Sequence, residues 1–175
     1  MGNGRCSLAL AALCALVACS DFPSGKGRGS QPAVVRQRMG DTEMTVVFNR
    51  PSARGRELFG GIVPYGEVWN PGADEATEVR FSDPVRVAGH PLPAGRYSLW
   101  AIPDTGTWTV IFSNADGVFH TPYPEGQDAL RIRVRPERGG YQESLGFAFP
   151  VATADSALLV MRWGETAVPL PIAPR

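Results

Sequence analysis

The side chains best suited to chemistry are concentrated in one segment, residues 50–77, which contains arginines, carboxylates and aromatic rings. The candidate site residues there are Arg50, Arg56, Tyr65, Glu67, Trp69, Asp74 and Glu75. An arginine fork binds a carboxylate or phosphate through paired hydrogen bonds, and an aromatic ring contributes apolar contact to a ligand. The segment is therefore predicted to bind a small molecule, a glycan or a protein partner. The competing interpretation is that arginines and glutamates pair to brace the loop, with Trp69 in the core.

A catalytic interpretation of the same segment requires two carboxylates at one reaction centre, one acting as the acid and the other as the base. Asp74 and Glu75 are adjacent, and neighbours in an extended chain point to opposite sides, so these two do not easily share a centre. Glu67 with Asp74 or Glu75 makes a hydrolase the alternative. With two histidines, His90 and His120, and no His-x-x-x-His pair, the sequence predicts no metal site, and no motif in it predicts a cofactor.

The elements that must position this segment are β-strands. Beyond residue 31 apolar residues alternate with polar ones, and glycine and proline separate the alternating runs, as half-buried strands require. Pro169 and Pro171 predict that the last strand is an edge strand, because proline cannot donate to a ladder. The predicted fold is all-β: a single antiparallel two-sheet β-sandwich of about ten strands. The strands are predicted at residues 33–38, 44–48, 77–81, 85–88, 97–101, 108–112, 130–134, 145–149, 159–163 and 168–172.

Residues 50–77 do not alternate, and a connection this long inside a compact domain is usually functional or disordered. Its apolar residues argue against disorder, so a long ordered loop is predicted, with one helical turn near Glu57 to Phe59. Phe59, Val63 and Trp69 are expected to pack against the open end of the sandwich. Arg50 or Arg56 should then reach a carboxylate of the same loop, with Tyr65 or Trp69 lining the same cavity; the carboxylates considered are Glu67, Asp74 and Glu75.

The loop also carries a family resemblance. The pattern Arg-Pro-x-x-x-Gly-Arg-x-x-Phe-Gly-x-x-Val-Pro-Tyr-Gly-x-Val-Trp, followed by Gly-Ala-x-Glu-Ala-Thr, resembles the bacterial family called domain of unknown function 2911. Leu92-Pro-Ala-Gly-x-Tyr97 and Trp108-Thr-Val-Ile111 fit the same family, and the similarity covers about residues 33–172. The resemblance implies an exported or lipid-anchored, β-rich protein without an assigned activity.

The N-terminus predicts where the protein acts. Residues 7–17 form an apolar run that is too short to span a membrane, which takes about 20 residues. The run ends in Leu16-Val17-Ala18-Cys19, which resembles the cleavage site of a bacterial lipoprotein. Residues 1–18 are therefore predicted to be a signal peptide, residues 19–31 the lipidated Cys19 with a flexible linker, and residues 32–175 the β-sandwich domain. The predicted location is the bacterial cell envelope, facing the periplasm or the surface.

Composition narrows the function further. The chain has 17 basic and 17 acidic residues, so no basic excess indicates nucleic acid as a partner. Its three cysteines are Cys6, Cys14 and Cys19, so the domain after the signal peptide has no disulfide and depends on packing. The sequence therefore predicts an envelope β-sandwich, held to the membrane through Cys19, that binds a ligand or partner. The alternatives are the hydrolase and a structural module of an envelope assembly.

Overall fold

A computed structural model describes Met1 and residues 29–175. The predicted signal peptide beyond Met1, Cys19 and most of the linker lie outside these described residues. Within the described part, no helix is long and apolar enough to cross a membrane. The ordered chain forms ten strands: β1 Gln31–Met39, β2 Thr42–Arg50, β3 Glu78–Phe81, β4 Val85–Val87, β5 His90–Leu92, β6 Gly95–Ile102, β7 Trp108–Ser113, β8 Asp128–Val134, β9 Glu137–Ala152 and β10 Ala157–Pro174.

The strands form two antiparallel sheets, which confirms the predicted two-sheet sandwich. The larger sheet has six strands in the order β1-β2-β3-β6-β7-β8, and the smaller has four in the order β5-β4-β10-β9. Alternation decides which side chains meet between the sheets. On β2, for example, Met44, Val46 and Phe48 are buried in the core, and the Phe48 ring meets that of Phe147 from β9 edge-on at 4.9 Å.

The number of strands agrees with prediction, but two boundaries differ. The runs at 159–163 and 168–172 belong to one long strand, β10, rather than to two. The short strand β5, which begins at His90 and pairs with β4, is absent from the predicted set. Both differences arise because strand length depends on pairing partners, and those partners lie far away in the sequence.

The prolines of β10 do not place it at an edge, so that prediction is wrong. β10 lies between β4 and β9 in the smaller sheet. Its pairing with β9 ends at Ala167, and its pairing with β4 begins at Ile172. Pro169 and Pro171 lie in the stretch between the two partners, so their missing N–H groups remove no ladder bond there. The carbonyl of Pro171 still accepts a hydrogen bond from the N–H of Ala88 at 2.8 Å.

The outer face of the larger sheet carries a second, smaller apolar layer. Trp100 and Ile111 alternate away from the inter-sheet core, yet they are 1% and 0% exposed. Tyr123, from the connection between β7 and β8, contacts the Trp100 ring edge-on at 5.2 Å. Tyr123 is tied down by hydrogen bonds with Asp128 and Arg131. Burial, followed by the hydrogen bond to Asp128, raises the pKa of Tyr123 above its ordinary value.

The position of Gly164 joins the loop to the smaller sheet and supports a test of the fold. Its φ is +58°, and a Cβ there would lie 2.8 Å from Cδ1 of the buried Leu58. Gly164→Ala should therefore lower the free energy of unfolding by about 1–3 kcal/mol, through overpacking added to left-handed strain. Gly55→Ala is the matched control, because Gly55 has φ +69° but open space around it. Urea denaturation of both variants checks this, and equal losses would contradict the predicted contact.

Candidate functional site

The long loop predicted at residues 50–77 is ordered, and its backbone groups are largely paired within the loop. Val63 donates its N–H to the carbonyl of Leu58 at 2.8 Å, and Gly60 donates to the carbonyl of Val63 at 2.9 Å. Phe59 and Val63 form a bridge across this turn, so the helical turn expected near Glu57 to Phe59 does not form. The turn needs glycine at position 61, since a Cβ there would lie 2.4 Å from the carbonyl oxygen of Glu57.

Aromatic packing attaches the loop to both sheets. The Phe59 ring meets Trp108 of β7 at 4.6 Å, Trp69 at 5.7 Å and Trp163 of β10 at 6.2 Å, each edge-on. Trp69 also stacks on Trp163 at 5.9 Å with 11° between the ring planes. Val63 is buried as well. The expectation that Phe59, Val63 and Trp69 pack on the core is therefore confirmed.

The second half of the loop continues the larger sheet beyond the end of β3. Trp69 and Ala101 exchange two backbone hydrogen bonds of 2.8 Å, and the N–H of Leu99 donates to the carbonyl of Thr77. Asn70, which is 2% exposed, completes this edge. Its Nδ2 donates to the carbonyl of Leu99 at 2.7 Å, and its Oδ1 accepts from the N–H of Thr77 at 3.3 Å. Asn70 is thus a bracing residue, although the sequence analysis did not include it among the candidate site residues.

The first half of the loop is attached to β9 through Glu143. The backbone carbonyl of Glu143 accepts from the N–H of Ala53, and the Glu143 carboxylate accepts from the N–H of Arg54 at 2.7 Å. The hydroxyl of Tyr141 donates to the same carboxylate at 2.6 Å. The hydrogen bond from Tyr141, together with that from Arg54, lowers the pKa of Glu143 below its ordinary value. This fastening is therefore complete at neutral pH and weakens as the pH falls through the lowered pKa.

The two arginines of the predicted site donate hydrogen bonds to backbone carbonyls. Arg56 donates from Nε to the carbonyl of Ala53 at 2.9 Å and from Nη2 to that of Ser52 at 2.7 Å. Arg50 directs Nε towards the carbonyl of Leu145 at 3.4 Å. Among the described residues, the expected ion pair of either arginine with Glu67 or Asp74 does not form. Both guanidinium groups instead lie next to backbone carbonyls, which take up their hydrogen bonds.

Tyr65 lies in a groove at the loop end of the sandwich. The groove is shallow and open, with a volume of about 360 Å³. Phe59 and Trp108 form its apolar floor, and the polar groups around it come from four segments of the chain. Its remaining lining residues are Tyr65, Asp104, Thr105, Pro136, Glu137, Arg138, Glu165 and Thr166. Trp69 is absent from this lining and contributes from below, through its contact with Phe59.

Glu75 lies elsewhere, in a cleft on the outer face of the larger sheet. Asn49 of β2 donates from Nδ2 to Oε2 of Glu75 at 3.3 Å. The backbone of Glu75 bridges to Phe119, and the carbonyl of Asp74 accepts from the N–H of His120 at 3.0 Å. The seven predicted residues are thus distributed over separate regions: Tyr65 lines the groove, Trp69 packs on Phe59 beneath it, Glu75 lines the cleft, Asp74 accepts from His120 through its carbonyl, Arg50 and Arg56 lie against backbone carbonyls, and Glu67 is exposed.

This distribution bears on the hydrolase interpretation, which requires two carboxylates at one centre. Glu75 lines the cleft and Glu67 does not, and no described contact joins Glu67 to Asp74. The part of the chain that the structure describes also contains no group of three or more His, Cys, Asp or Glu residues arranged to hold a metal ion. Glu67 is therefore not placed with Glu75 at one centre.

Comparison with known proteins gives a family but no precedent for the site. A family model described as "Protein of unknown function (DUF2911)" matches residues 30–172. This range includes all the residues of the groove and the cleft described above. No curated protein and no solved structure matches the chain. The chemistry must therefore be argued from the residues themselves.

The distinction between bracing and exposed loop residues is testable by stability. Asn70→Ala should lower the free energy of unfolding by about 1–3 kcal/mol for each backbone group left unpaired, because the N–H of Thr77 and the carbonyl of Leu99 would be buried without partners. Glu67→Gln should change it by less than about 0.5 kcal/mol, because the side chain is exposed. Thermal and urea unfolding of both variants provide the measurement. A large loss in Glu67→Gln would show that Glu67 is structural.

Proposed function

Since the chain belongs to the DUF2911 family of proteins of unknown function, we propose from its own geometry that it is a lipid-anchored envelope module that binds a glycan in the Tyr65 groove. A glycan presents apolar C–H faces and hydroxyl edges together. The groove offers both complements, an aromatic surface and a rim of hydrogen-bonding side chains. A site of this composition is typical of small-ligand recognition in proteins.

The observation that carries the proposal is the fixed position of an exposed ring. Tyr65 is 44% exposed, yet its ring packs directly over Gly60. A Cβ at position 60 would lie 2.7 Å from Cε2 of Tyr65, so a glycine is required beneath the ring. Gly66, next to the tyrosine, is held by a hydrogen bond from its N–H to the carbonyl of Pro103 at 2.9 Å. A ring held in this way costs little conformational entropy when a ligand stacks on it.

The rim supports hydroxyl recognition. Carboxylates of Asp104, Glu137 and Glu165 provide acceptors, and Arg138 provides donors. Arg138 and Glu165 hold each other through two hydrogen bonds from Nη2, of 2.9 and 3.1 Å, so both groups are oriented before a ligand arrives. The pair is solvent-exposed and contributes little to stability, about 0–1 kcal/mol. Its role in the proposal is therefore orientation rather than folding.

The predicted anchor supports an envelope location. A lipid on Cys19 and a Gly- and Ser-containing linker would place the groove in a compartment where glycans are abundant. A structural assembly module is the second candidate, because Ile62 and Val68 are 43% and 37% exposed on the same loop as Tyr65. Exposed apolar surface on a loop can serve as a contact for another protein. A glycan-binding module should bind isolated sugars, whereas a structural assembly module should not.

Tyr65→Ala should abolish glycan binding with the fold intact, because the ring is the stacking surface and is largely outside the core. Tyr65→Phe should retain most of the affinity, since it keeps the ring. Phe119→Ala is the matched control, because Phe119 is a 52% exposed aromatic residue that lies outside the groove. The measurement is tryptophan fluorescence, which reports on Trp108 beneath the groove, during titration with N-acetylglucosamine and hexose oligosaccharides. Binding that is unchanged in Tyr65→Ala, or absent from every oligosaccharide in the wild type, would contradict the proposal.

Lipid anchoring has a separate test. Cys19→Ser should prevent lipid attachment, so the protein should remain uncleaved or appear in the soluble fraction. The wild type should partition with membranes and require detergent for release. Fractionation followed by mass determination of the mature N-terminus measures both properties. Identical detergent-free partitioning of wild type and variant would refute the anchor without affecting the glycan proposal.

A further inference from the structure

The cleft on the outer face of the larger sheet is a second candidate site with different chemistry. It has a volume of about 230 Å³ and lies across β1, β2 and β3. It shares no lining residue with the Tyr65 groove. The cleft is therefore independent of the groove, and a ligand can bind at either one without the other.

Strand register gives the cleft two different ends. At one end Pro32 of β1 is opposite Asn49 of β2, beside Glu75. In the middle Val34 is opposite Val47, which is opposite Glu78 of β3. At the other end four strands contribute to one row. That row runs Arg36, Thr45, Arg80 and Arg96, from β1, β2, β3 and β6.

The first end is rich in acceptors. Asn49 is 5% exposed, and the orientation of its amide is determined by its donors, since Nδ2 bonds to the carbonyl of Ala73 at 2.8 Å and to Glu75. The Oδ1 atom of Asn49 is buried and has no hydrogen-bond donor. An unsatisfied buried acceptor costs about 1–3 kcal/mol. An oxygen of this kind beside a carboxylate suits a ligand group that donates several hydrogen bonds and carries positive charge.

The second end is rich in donors. Arg80 bonds to Glu78 through Nε, which leaves its two Nη groups as donors along the row. Arg80 is directly opposite Arg96, and like charges in opposed positions on a sheet repel each other. A neighbouring hollow of about 320 Å³ shares Arg36, Thr45 and Arg80 with the cleft and adds Arg96 and Glu43. Three arginines therefore face Glu78 and Glu43, and an anion placed between the arginines would relieve the repulsion.

We propose that this cleft binds a small zwitterion, with its ammonium group at Asn49 and Glu75 and its carboxylate at Arg36 and Arg80. The valine pair Val34 and Val47 would contact the apolar middle of the ligand. Asn49 and Thr45 are four residues apart on β2, which is about 13 Å along a strand. A peptide of three residues with free termini, about 10 Å long, fits within that distance.

The test uses trialanine with free termini, N-acetyl-trialanine and trialanine amide as probes, with calorimetric titration at low ionic strength. The free peptide should bind, and blocking either end should weaken binding at least tenfold. Affinity should fall as salt is added, because both ends are charged. Failure of trialanine to bind, or equal binding of all three peptides, would overturn the proposal.

Single variants assign each charge to its end. Glu75→Gln should remove the preference for the free over the acetylated peptide, and Arg36→Gln should remove the preference for the free carboxylate over the amide. Arg133→Gln is the matched control, since Arg133 is an exposed arginine on the same sheet face but outside the cleft. A merely structural role would lower affinity for all three peptides together. If Arg133→Gln weakened binding as much as Arg36→Gln, the effect would be general electrostatics and the assigned site would be wrong.

Discussion

The rest of the structure depends on one aromatic contact, the insertion of Phe59 among three tryptophans. Trp108 belongs to the larger sheet, Trp163 to the smaller sheet and Trp69 to the loop, and the Phe59 ring contacts all three. A six-stranded sheet cannot be fully covered by a four-stranded one, so part of its inner face needs another cover. The cluster supplies that cover at the loop end of the sandwich. Large aromatic side chains bury much apolar area and prefer edge-on or offset-stacked contacts. The three contacts of Phe59 are edge-on, and the fourth ring pair of the cluster, Trp69 with Trp163, is stacked.

Because the loop covers the core, its irregular backbone must satisfy its own hydrogen bonds. Trp69 and Thr77 do so by pairing with β6 as a strand would, and Asn70 replaces a missing backbone partner with its side chain. Arg56 does the same for the carbonyls of Ser52 and Ala53. Side chains of types that often bind ligands therefore brace the loop backbone instead. Glycine, which has no side chain, leaves room for the exposed ring of Tyr65 above Gly60. The hydrogen-bonded backbone that makes the loop rigid also holds the Tyr65 ring at the surface.

The two faces of the larger sheet have different roles. Its inner face is mainly apolar, whereas its outer face carries both the buried pair Trp100 and Ile111 and the charged row of Arg36, Arg80 and Arg96. Tyr123 packs on Trp100 in the first region, and Arg36 and Arg96 of the second are exposed to solvent. The boundary between them lies near residues 73–76, where the end of the long loop pairs with residues 118–120. The same loop thus contributes to the groove on one side and to the cleft on the other.

The sequence by itself determined the class of fold, because alternation of apolar and polar residues is a local property that specifies which side chain faces which side of a strand. It also predicted that Phe59, Val63 and Trp69 would be buried, since apolar residues in an ordered loop have to leave water. Tertiary structure decided the rest. The register that aligns Arg36 with Thr45 and Arg80, and the burial of Trp100 on an outward-facing position, follow from contacts between residues far apart in the chain. Sequence analysis assigned the loop arginines to a ligand, whereas in the structure they donate to backbone carbonyls. Every residue has such a carbonyl, so the sequence does not show which carbonyls the arginines will contact.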